Sequence, residues 1–254
     1  RRIVDIISDV NMCYSEHARR YLSECGLPRE RTYVTGSPMA EVLHENLAEI
    51  EASDVHKRLG LEKGKYILLS AHREENIDTE KNFTSLFTAI NKMAEKYDMP
   101  ILYSCHPRSR NRLASSGFQL DKRVMQQEPL GFHDYNSLQM NAFCVVSDSG
   151  TLPEESSFFT SVGHPFPAVC IRTSTERPEA MDKGVFTIGS ITSELSGIDT
   201  KGLLQSVELA VDLNNDGNYG IPVPNYTDSI STKVVKIIQS YVGVVNKMVW
   251  RKEV

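Results

Sequence analysis

Short apolar runs alternate with longer helical patterns along most of this chain, and this alternation constrains its fold more than any other feature. Runs typical of buried strands occupy residues 65–71, 100–105, 123–126, 142–147, 167–171 and 185–188. The helical pattern between the first two runs places its large apolar residues on one face: Phe83, Leu86, Phe87, Ile90 and Met93. Helices of this length between strands serve as crossover connections. The sequence therefore predicts an α/β fold with a Rossmann-like, doubly wound parallel sheet.

Size and composition exclude several classes of protein. The 254 residues, 40% hydrophobic and 24% charged, suffice for one large core or two small ones. The formal net charge of -5 argues against a nucleic-acid partner, and no apolar run approaches the ~18 residues of a membrane span. The five cysteines lack metal-ligand spacing. We therefore expect reduced cysteines in a cytoplasmic protein with no metal site and no membrane partner.

Polar turns follow the predicted strands. In a doubly wound sheet, ligands bind outside the carboxyl ends of the strands, so turns at these ends are expected to form one site. The turns comprise residues 72–76, 106–108, 130–135, 147–155 and 172–177.

The segment 147–155, SDSGTLPEE, combines the end of a strand with the start of a helix. Thr151 or Ser149 is the expected N-cap, and Glu154 is spaced for a capping box with Thr151. The free N–H groups and the dipole at such a helix start attract a phosphate or diphosphate. Glu155 is placed to accept the hydroxyls of a ribose. The segment therefore predicts a nucleotide site.

Plain structural interpretations compete with these assignments when each residue is taken alone. His72 and His106 fit ordinary loop histidines, residues 149–150 fit a simple strand-to-helix turn, and Tyr135 fits core packing. Adjacent carboxylates in a loop, such as Glu74 and Glu75, fit a solvated helix entry. Arg177 fits a structural ion pair with a nearby carboxylate: Glu176, Glu179 or Asp182.

Three motifs taken together resemble one known family. AHREEN at 71–76, SDSGTLPEE at 147–155 and RTSTERPEA at 172–180 resemble the non-hydrolysing UDP-N-acetylglucosamine 2-epimerases, over essentially the whole chain. The resemblance implies the C-terminal half of a GT-B-type fold, in which two Rossmann-like domains enclose a UDP-sugar.

The resemblance also implies a domain organisation. Residues 1–40 match the tail of the N-terminal domain, 41–226 the UDP-binding C-terminal domain, and 227–254 a closing helix that returns toward the N-terminal domain.

Individual residues acquire roles from the same resemblance. It implies one catalytic residue, His72, at the junction of diphosphate and sugar. It implies contacts to UDP from six residues: Ser149, Gly150 and Arg177 to the diphosphate, Glu155 to the ribose, and Tyr135 and the Leu130 backbone to the uracil. Arg73 and His106 match positions that, in some members, contact a second, regulatory UDP-GlcNAc.

The implied reaction inverts C2 of a UDP-N-acetylhexosamine by eliminating UDP and adding it back, with no cofactor. The implied partners are a UDP-sugar and a second copy of the chain in a homodimer. The acid and base carboxylates of the family match positions before Arg1, so the chain alone is expected to be inactive. The segment HPRSR at 106–110 departs from regulated members.

Two questions about function stay open at this point. The departure at 106–110, together with the other motifs, resembles the subgroup that acts on 6-deoxy sugars toward UDP-N-acetyl-L-fucosamine, as an alternative to UDP-GlcNAc and UDP-ManNAc. A GT-B glycosyltransferase and a non-catalytic nucleotide-binding module are the alternative functions. The combination of HREEN and ERPE favours the epimerase.

Overall fold

The computed structural model describes residues 2–172, 174–189, 198–226 and 229–252, which form a large and a small parallel sheet. The strands are β1 (Asn11–Cys13), β2 (Thr32–Val34), β3 (Ile67–Ser70), β4 (Ile101–Ser104), β5 (Val124–Gln127), β6 (Cys144–Ser147), β7 (Ala168–Cys170) and β8 (Thr187–Ile188). The helices are α1 (Arg2–Ile7), α2 (Glu16–Glu24), α3 (Pro38–Glu45), α4 (Leu47–Ala52), α5 (Val55–Leu59), α6 (Glu74–Ile77), α7 (Glu80–Tyr97), α8 (Pro107–Ser116), α9 (Phe132–Met140), α10 (Leu152–Ser161), α11 (Pro178–Asp182), α12 (Thr200–Asn215) and α13 (Ser231–Val244).

The strand order β5-β4-β3-β6-β7-β8 of the large sheet determines where a ligand can bind. The chain runs outward from β3 to β5 and then returns to β6 on the other side of β3. Ser70 at the end of β3 lies opposite Ser147 at the end of β6. A reversal of this kind opens a crevice at the carboxyl ends of the two strands. The predicted α/β class with a doubly wound parallel sheet is confirmed.

Helices cover both faces of this sheet. Successive side chains of β3 alternate between the faces: Ile67 and Leu69 belong to the core beside α7 and α12, whereas Leu68 belongs to the core beside α3 and α10. The predicted apolar stripe of α7 is fully buried: Phe83, Leu86, Phe87, Ile90 and Met93. Burial of each such side chain contributes about 1.5–3 kcal/mol. The turns at the strand ends are therefore built on a well-packed base.

The small sheet consists of β1 and β2, which pair in parallel with Met12 opposite Tyr33. The helix α2 begins after Ser15, whose hydroxyl accepts a hydrogen bond from the Ala18 N–H at 3.3 Å and caps the helix. Strand β1 was not predicted, because its three residues contain no apolar run. Its pairing depends on β2, which lies about twenty residues further along the chain.

The segment after β2 is fixed to the segment before α13. Gly36 has a φ of 100°, and a side chain there would clash with the Asn225 carbonyl and lie 2.6 Å from Ile230 Cδ1. Glu41 accepts hydrogen bonds from the N–H groups of Ile230 at 2.9 Å and Ser231 at 2.7 Å. Hydrogen bonds from the hydroxyl and N–H of Ser231 lower the pKa of Glu41 to about 2. These contacts hold the start of α13 in place.

The C-terminal helix occupies most of the segment 227–254 that matches a closing helix. Helix α13 begins at Ser231 and continues into a π-helical turn, Val245–Val249, while residues 227 and 228 lie outside the described residues. All five cysteines are free, and those in or beside strands of the large sheet are buried: Cys105, Cys144 and Cys170. None of the helices in the described ranges is long and apolar enough to cross a membrane.

Candidate functional site

Asp148 joins the two turns that meet at the reversal point. It follows the last residue of β6, and its side chain is 0% exposed. Its Oδ2 accepts hydrogen bonds from the N–H groups of His72 at 2.9 Å and Arg73 at 2.8 Å, and from Asn76 Nδ2 at 3.0 Å. Its Oδ1 lies 3.2 Å from His72 Nδ1. One buried carboxylate therefore fixes the backbone of the HREEN turn against the end of β6.

Gly150 lies among charged groups from two other turns. A Cβ atom built on Gly150 would lie 3.2 Å from Arg172 Nη1, 3.4 Å from Arg73 Nη2 and 3.4 Å from Glu176 Oε2. Arg73 Nε donates to the Asp148 carbonyl at 2.8 Å. Arg172 is 6% exposed, and its Nε has no hydrogen-bond partner among the described residues. Two guanidinium groups thus converge on a residue without a side chain, where an anion is favoured.

The start of α10 differs from the predicted capping box. Thr151 stands at the N-cap with a helical φ of -90° and makes no capping hydrogen bond. Its hydroxyl donates instead to Glu155 Oε1 at 2.7 Å, and Gln139 Nε2 donates to Glu155 Oε2 at 2.7 Å. Ser149 Oγ accepts from the Thr151 N–H at 3.3 Å. Burial raises the pKa of the Glu155 carboxyl, while the hydrogen bonds from Thr151 and Gln139 oppose this shift.

Glu154, predicted to cap α10, is bound to Arg177 instead. Arg177 Nε and Nη2 lie 2.7 and 2.6 Å from Glu154 Oε1, and the Ser37 hydroxyl donates to Glu154 Oε2. The capping prediction for Glu154 was therefore wrong, and the structural ion-pair interpretation of Arg177 named the wrong carboxylates. The Arg177 guanidinium also lies over the Tyr14 ring, 4.8 Å from its centroid. The pair links the RTSTERPE turn to the small-sheet side of the molecule.

Tyr135 and Leu130, the two residues predicted at the uracil, both pack against one core cluster. Tyr135 lies on α9 and is partly buried. Burial and, secondly, the charge of Glu155 raise the pKa of the Tyr135 hydroxyl. Leu130 packs against the same core cluster as Tyr135. Both residues therefore contribute to packing.

The two residues assigned to a regulatory contact follow the neighbouring strands β3 and β4 and have different surroundings. Arg73 lies at Gly150, inside the cluster of guanidinium groups. His106 follows β4 and caps α8, because its Nδ1 accepts a hydrogen bond from the Arg108 N–H at 3.4 Å. Arg108 is held by Asp78 at 2.7 Å. Helix capping therefore accounts for His106 without a ligand. The side chains of Glu74 and Glu75 lie outside the described part of the structure.

A cleft of about 660 Å³ adjoins the Arg177 side of the site. Its walls come from the small sheet with α2 on one side and from the 175–179 turn on the other, and they include Tyr14, His17, Thr175 and Pro178. The described residues contain no cluster of histidine, cysteine and acidic side chains that could hold a metal ion. The chemistry available at the crevice is thus that of guanidinium, imidazole, carboxylate and hydroxyl groups.

Three residues at the centre of the site were not predicted individually: Asp148, Asn76 and Arg172. Asp148 and Arg172 each come just after a buried strand, which is a detectable signal, but no family role was carried over to them. The partner of Asn76 lies 72 residues away. Such a contact follows from the position of β6 beside β3, which sequence patterns alone do not fix.

The sequence of this chain matches one family of known proteins over most of its length. The sequence profile of the family UDP-N-acetylglucosamine 2-epimerase matches residues 1–219. A UDP-N-acetylglucosamine 2-epimerase of Methanococcus maripaludis is 28% identical over 239 residues, which cover 89% of this chain and 62% of that protein.

Solved structures of this family have the same fold. The UDP-N-acetylglucosamine 2-epimerase of Rickettsia bellii is 37% identical with a TM-score of 0.85, covering 99% of this chain and 65% of that one. The UDP-GlcNAc 2-epimerase of Methanocaldococcus jannaschii, solved with UDP-GlcNAc and UDP, is 26% identical with a TM-score of 0.79, covering 94% and 63%. The chain thus spans less than two thirds of these relatives. The GT-B-type fold is confirmed, and the chain belongs to the UDP-N-acetylglucosamine 2-epimerase family.

Proposed function

We propose that this chain forms the UDP-binding part of a UDP-N-acetylhexosamine 2-epimerase. The observation that carries the proposal is the convergence of Arg73 and Arg172 on Gly150, at the crevice where β3 and β6 end. Arg172 is buried and Arg73 is half-buried, and Glu176 Oε1 lies 3.3 Å from Arg172 Nη2. Planar guanidinium forks suit phosphate oxygens, and a diphosphate at Gly150 would bind both arginines.

The remaining parts of UDP follow from this placement. Glu155 lies on the first turn of α10, so a nucleoside attached to the diphosphate would reach its carboxylate. Two of its lone pairs are occupied by Thr151 and Gln139, which leaves acceptor capacity for ribose hydroxyls. The uracil would then lie toward Tyr135 and the Leu130 backbone. Ser149 contributes its hydroxyl to the diphosphate side of the same turn.

His72 is the catalytic residue of the proposal. Its side chain is 51% exposed, and it stands directly over Asp148 beside the guanidinium cluster. In the proposed reaction, a base removes the C2 proton, the C1–oxygen bond to UDP breaks, and a glycal forms. UDP then adds back while a proton is delivered to the opposite face of C2. His72 would stabilise or protonate the departing diphosphate oxygen, and the arginines would stabilise its charge.

The groups that move the proton at C2 are proposed to lie outside this chain. The family carboxylates match positions before Arg1, so we expect the 254 residues to bind UDP without turnover. Arg177 is the remaining family contact, and it is held by Glu154 in this structure. Release of Arg177 toward the diphosphate would require exchange of this carboxylate for phosphate.

The hexosamine and the assembly are proposals of the same kind. The substrates to test are UDP-GlcNAc, UDP-ManNAc and the 6-deoxy-L-hexosamine that leads to UDP-N-acetyl-L-fucosamine. A homodimer and a cytoplasmic location are proposed from the family resemblance, and the five free cysteines fit a reducing compartment.

A GT-B glycosyltransferase is the alternative, because it would share a ribose carboxylate and a phosphate-binding helix start. The two functions differ in whether the reaction needs an acceptor molecule in addition to the UDP-sugar. A protein containing this chain and the C2 acid and base groups should convert a UDP-N-acetylhexosamine to its C2 epimer without any acceptor. Conversion that appears only after a sugar acceptor is added would favour the glycosyltransferase.

Calorimetric titration of the isolated chain with UDP and with uridine tests the placement of the diphosphate. We expect UDP to bind more tightly than uridine, and Arg172→Met to weaken UDP by about 10- to 150-fold, equivalent to a charge-assisted hydrogen bond of about 1.5–3 kcal/mol. Uridine affinity should not change. Arg19→Met is the matched control, because Arg19 pairs with Glu16 on the surface of α2. Equal binding of UDP and uridine would contradict the proposed site.

A further inference from the structure

The carboxylate of Asp148 has two oxygens in different situations. Oδ2 accepts from three N–H groups, those of His72, Arg73 and Asn76. Oδ1 is buried and has no hydrogen-bond partner among the described residues. His72 Nδ1 lies 3.2 Å from Oδ1, at ion-pair distance but outside hydrogen-bond alignment. A buried carboxylate oxygen without a donor is costly, and the His72 ring is the group placed to serve it.

We propose that Asp148 is the positioning residue of His72: its Oδ1 holds the proton of the imidazole on Nδ1, so that Nε2 faces the ligand crevice. This inference rests on the proposed function, in which His72 acts on the departing diphosphate. A small rotation of the half-exposed ring brings the Nδ1–H group into line with Oδ1. A carboxylate in this place also stabilises the positively charged imidazolium that protonates a leaving group.

The groups around Asp148 determine which of its two carboxylate oxygens faces His72. The three N–H donors at Oδ2 require an acceptor there, so a replacement amide at position 148 must keep its oxygen at Oδ2. Its NH2 group then faces His72 Nδ1. Asp148→Asn therefore reverses the demand on the ring: Nδ1 must accept, and the proton of the neutral imidazole moves to Nε2.

Nitrogen NMR of the histidine-labelled chain measures this directly, because the two neutral tautomers have different ring nitrogen shifts. The chain has seven histidines, and His72→Gln identifies the signals of His72. At about pH 8.5 a free imidazole is neutral. The tyrosines that face Asp148, Tyr103 and Tyr135, stay protonated at this pH because burial raises the pKa of each hydroxyl.

The expected result is Nδ1–H in the wild type and Nε2–H in Asp148→Asn. Asn76→Ala is the matched control: it removes one donor from Oδ2 and loosens the same turn, but it should leave the Nδ1–H form in place. A wild-type His72 in the Nε2–H form overturns the proposal, and that result does not depend on whether Asp148→Asn folds. An unchanged tautomer in Asp148→Asn also overturns it.

Turnover provides the second readout, in a protein that carries this chain with the C2 acid and base groups. Asp148→Asn should lower kcat by about 10²- to 10⁴-fold with little change in KM, as expected for loss of a positioned proton donor. In the His72→Gln background the same change should add little. Independent losses that multiply would indicate a purely structural role and overturn the proposal.

Different results would reject the proposed function and the proposed role of Asp148. Absence of UDP binding by the wild-type chain would reject the proposed function while leaving the tautomer result intact. An Nε2–H His72 in a chain that binds UDP would reject the role of Asp148 alone.

Discussion

Gly150→Ala perturbs the proposed diphosphate site with a single methyl group. The backbone at Gly150 does not require glycine, since its φ lies outside the left-handed region, so alanine adds no backbone strain. The new Cβ would stand 3.2 Å from Arg172 Nη1 and 3.4 Å from both Arg73 Nη2 and Glu176 Oε2. Each neighbour needs to move by only a few tenths of an ångström. We therefore expect a change in unfolding free energy within about 1 kcal/mol.

UDP binding should respond far more strongly than stability. The methyl group would occupy the space in which both guanidinium groups meet the diphosphate. Loss of one charge-assisted hydrogen bond costs about 1.5–3 kcal/mol, so UDP affinity should fall by about 10- to 150-fold. Isothermal titration with UDP, alongside urea denaturation, separates the two effects. Uridine, which lacks the diphosphate, should bind equally to both proteins.

Gly243→Ala is the matched control for the added methyl group. Gly243 lies in α13, and a Cβ there would meet nothing within 4 Å. This change should leave UDP binding unaltered and stabilise the helix by about 0.5–1 kcal/mol. A folded Gly150→Ala that binds UDP as tightly as the wild type would refute the placement of the diphosphate.

Three further predictions concern the contacts that hold the site in place. Gly36→Ala should lower the unfolding free energy by more than the ~1–2 kcal/mol that a left-handed backbone costs a residue with a side chain, because the new side chain also clashes with Asn225. A variant that unfolds at the same urea concentration as the wild type would contradict this. Glu154→Gln should cost about 3 kcal/mol in the same assay, because Arg177 loses its buried partner; a neutral effect would show that solvent replaces the pair. Folding lowers the pKa of Glu41 from its ordinary value of 4.5 to about 2, so the ionised carboxylate stabilises the fold at pH values above 4.5. This stabilisation is lost as pH falls from 4.5 toward 2. Glu41→Gln should therefore flatten the decline of Tm across that range, and parallel profiles for both proteins would be the contrary result.

Local periodicity predicts most of the large sheet and its helices. The helix predicted between the first two strand-like runs is α7, and its apolar stripe is buried as expected. The predicted strand 142–147 contains β6, shortened at its start. These elements are long, and their own side chains decide their type. Strand β1 was missed because three residues carry no period, and its parallel partner lies beyond local reach.

Contacts between residues that are distant in sequence explain the features of the site that its motifs did not predict. Thr151 and Glu154 have capping-box spacing, yet Thr151 donates to Glu155 and Glu154 is bound by Arg177 and Ser37, the latter 117 residues away. The ion pair of the buried Glu154 carboxylate with Arg177 outweighs a local cap, which is worth about 1 kcal/mol. Asp148 lies inside the recognised motif, but its function as the acceptor for the HREEN turn depends on β3 and β6 being neighbours.

A crystal structure of the chain with UDP would test the central claim most directly. We predict the diphosphate at Gly150, with oxygens about 2.7–2.9 Å from guanidinium nitrogens of Arg172 or Arg73 and the ribose hydroxyls at Glu155. The uracil should lie toward Tyr135, and His72 Nε2 should face the terminal phosphate. UDP bound elsewhere, with Arg172 and Arg73 free of phosphate contacts, would contradict the account.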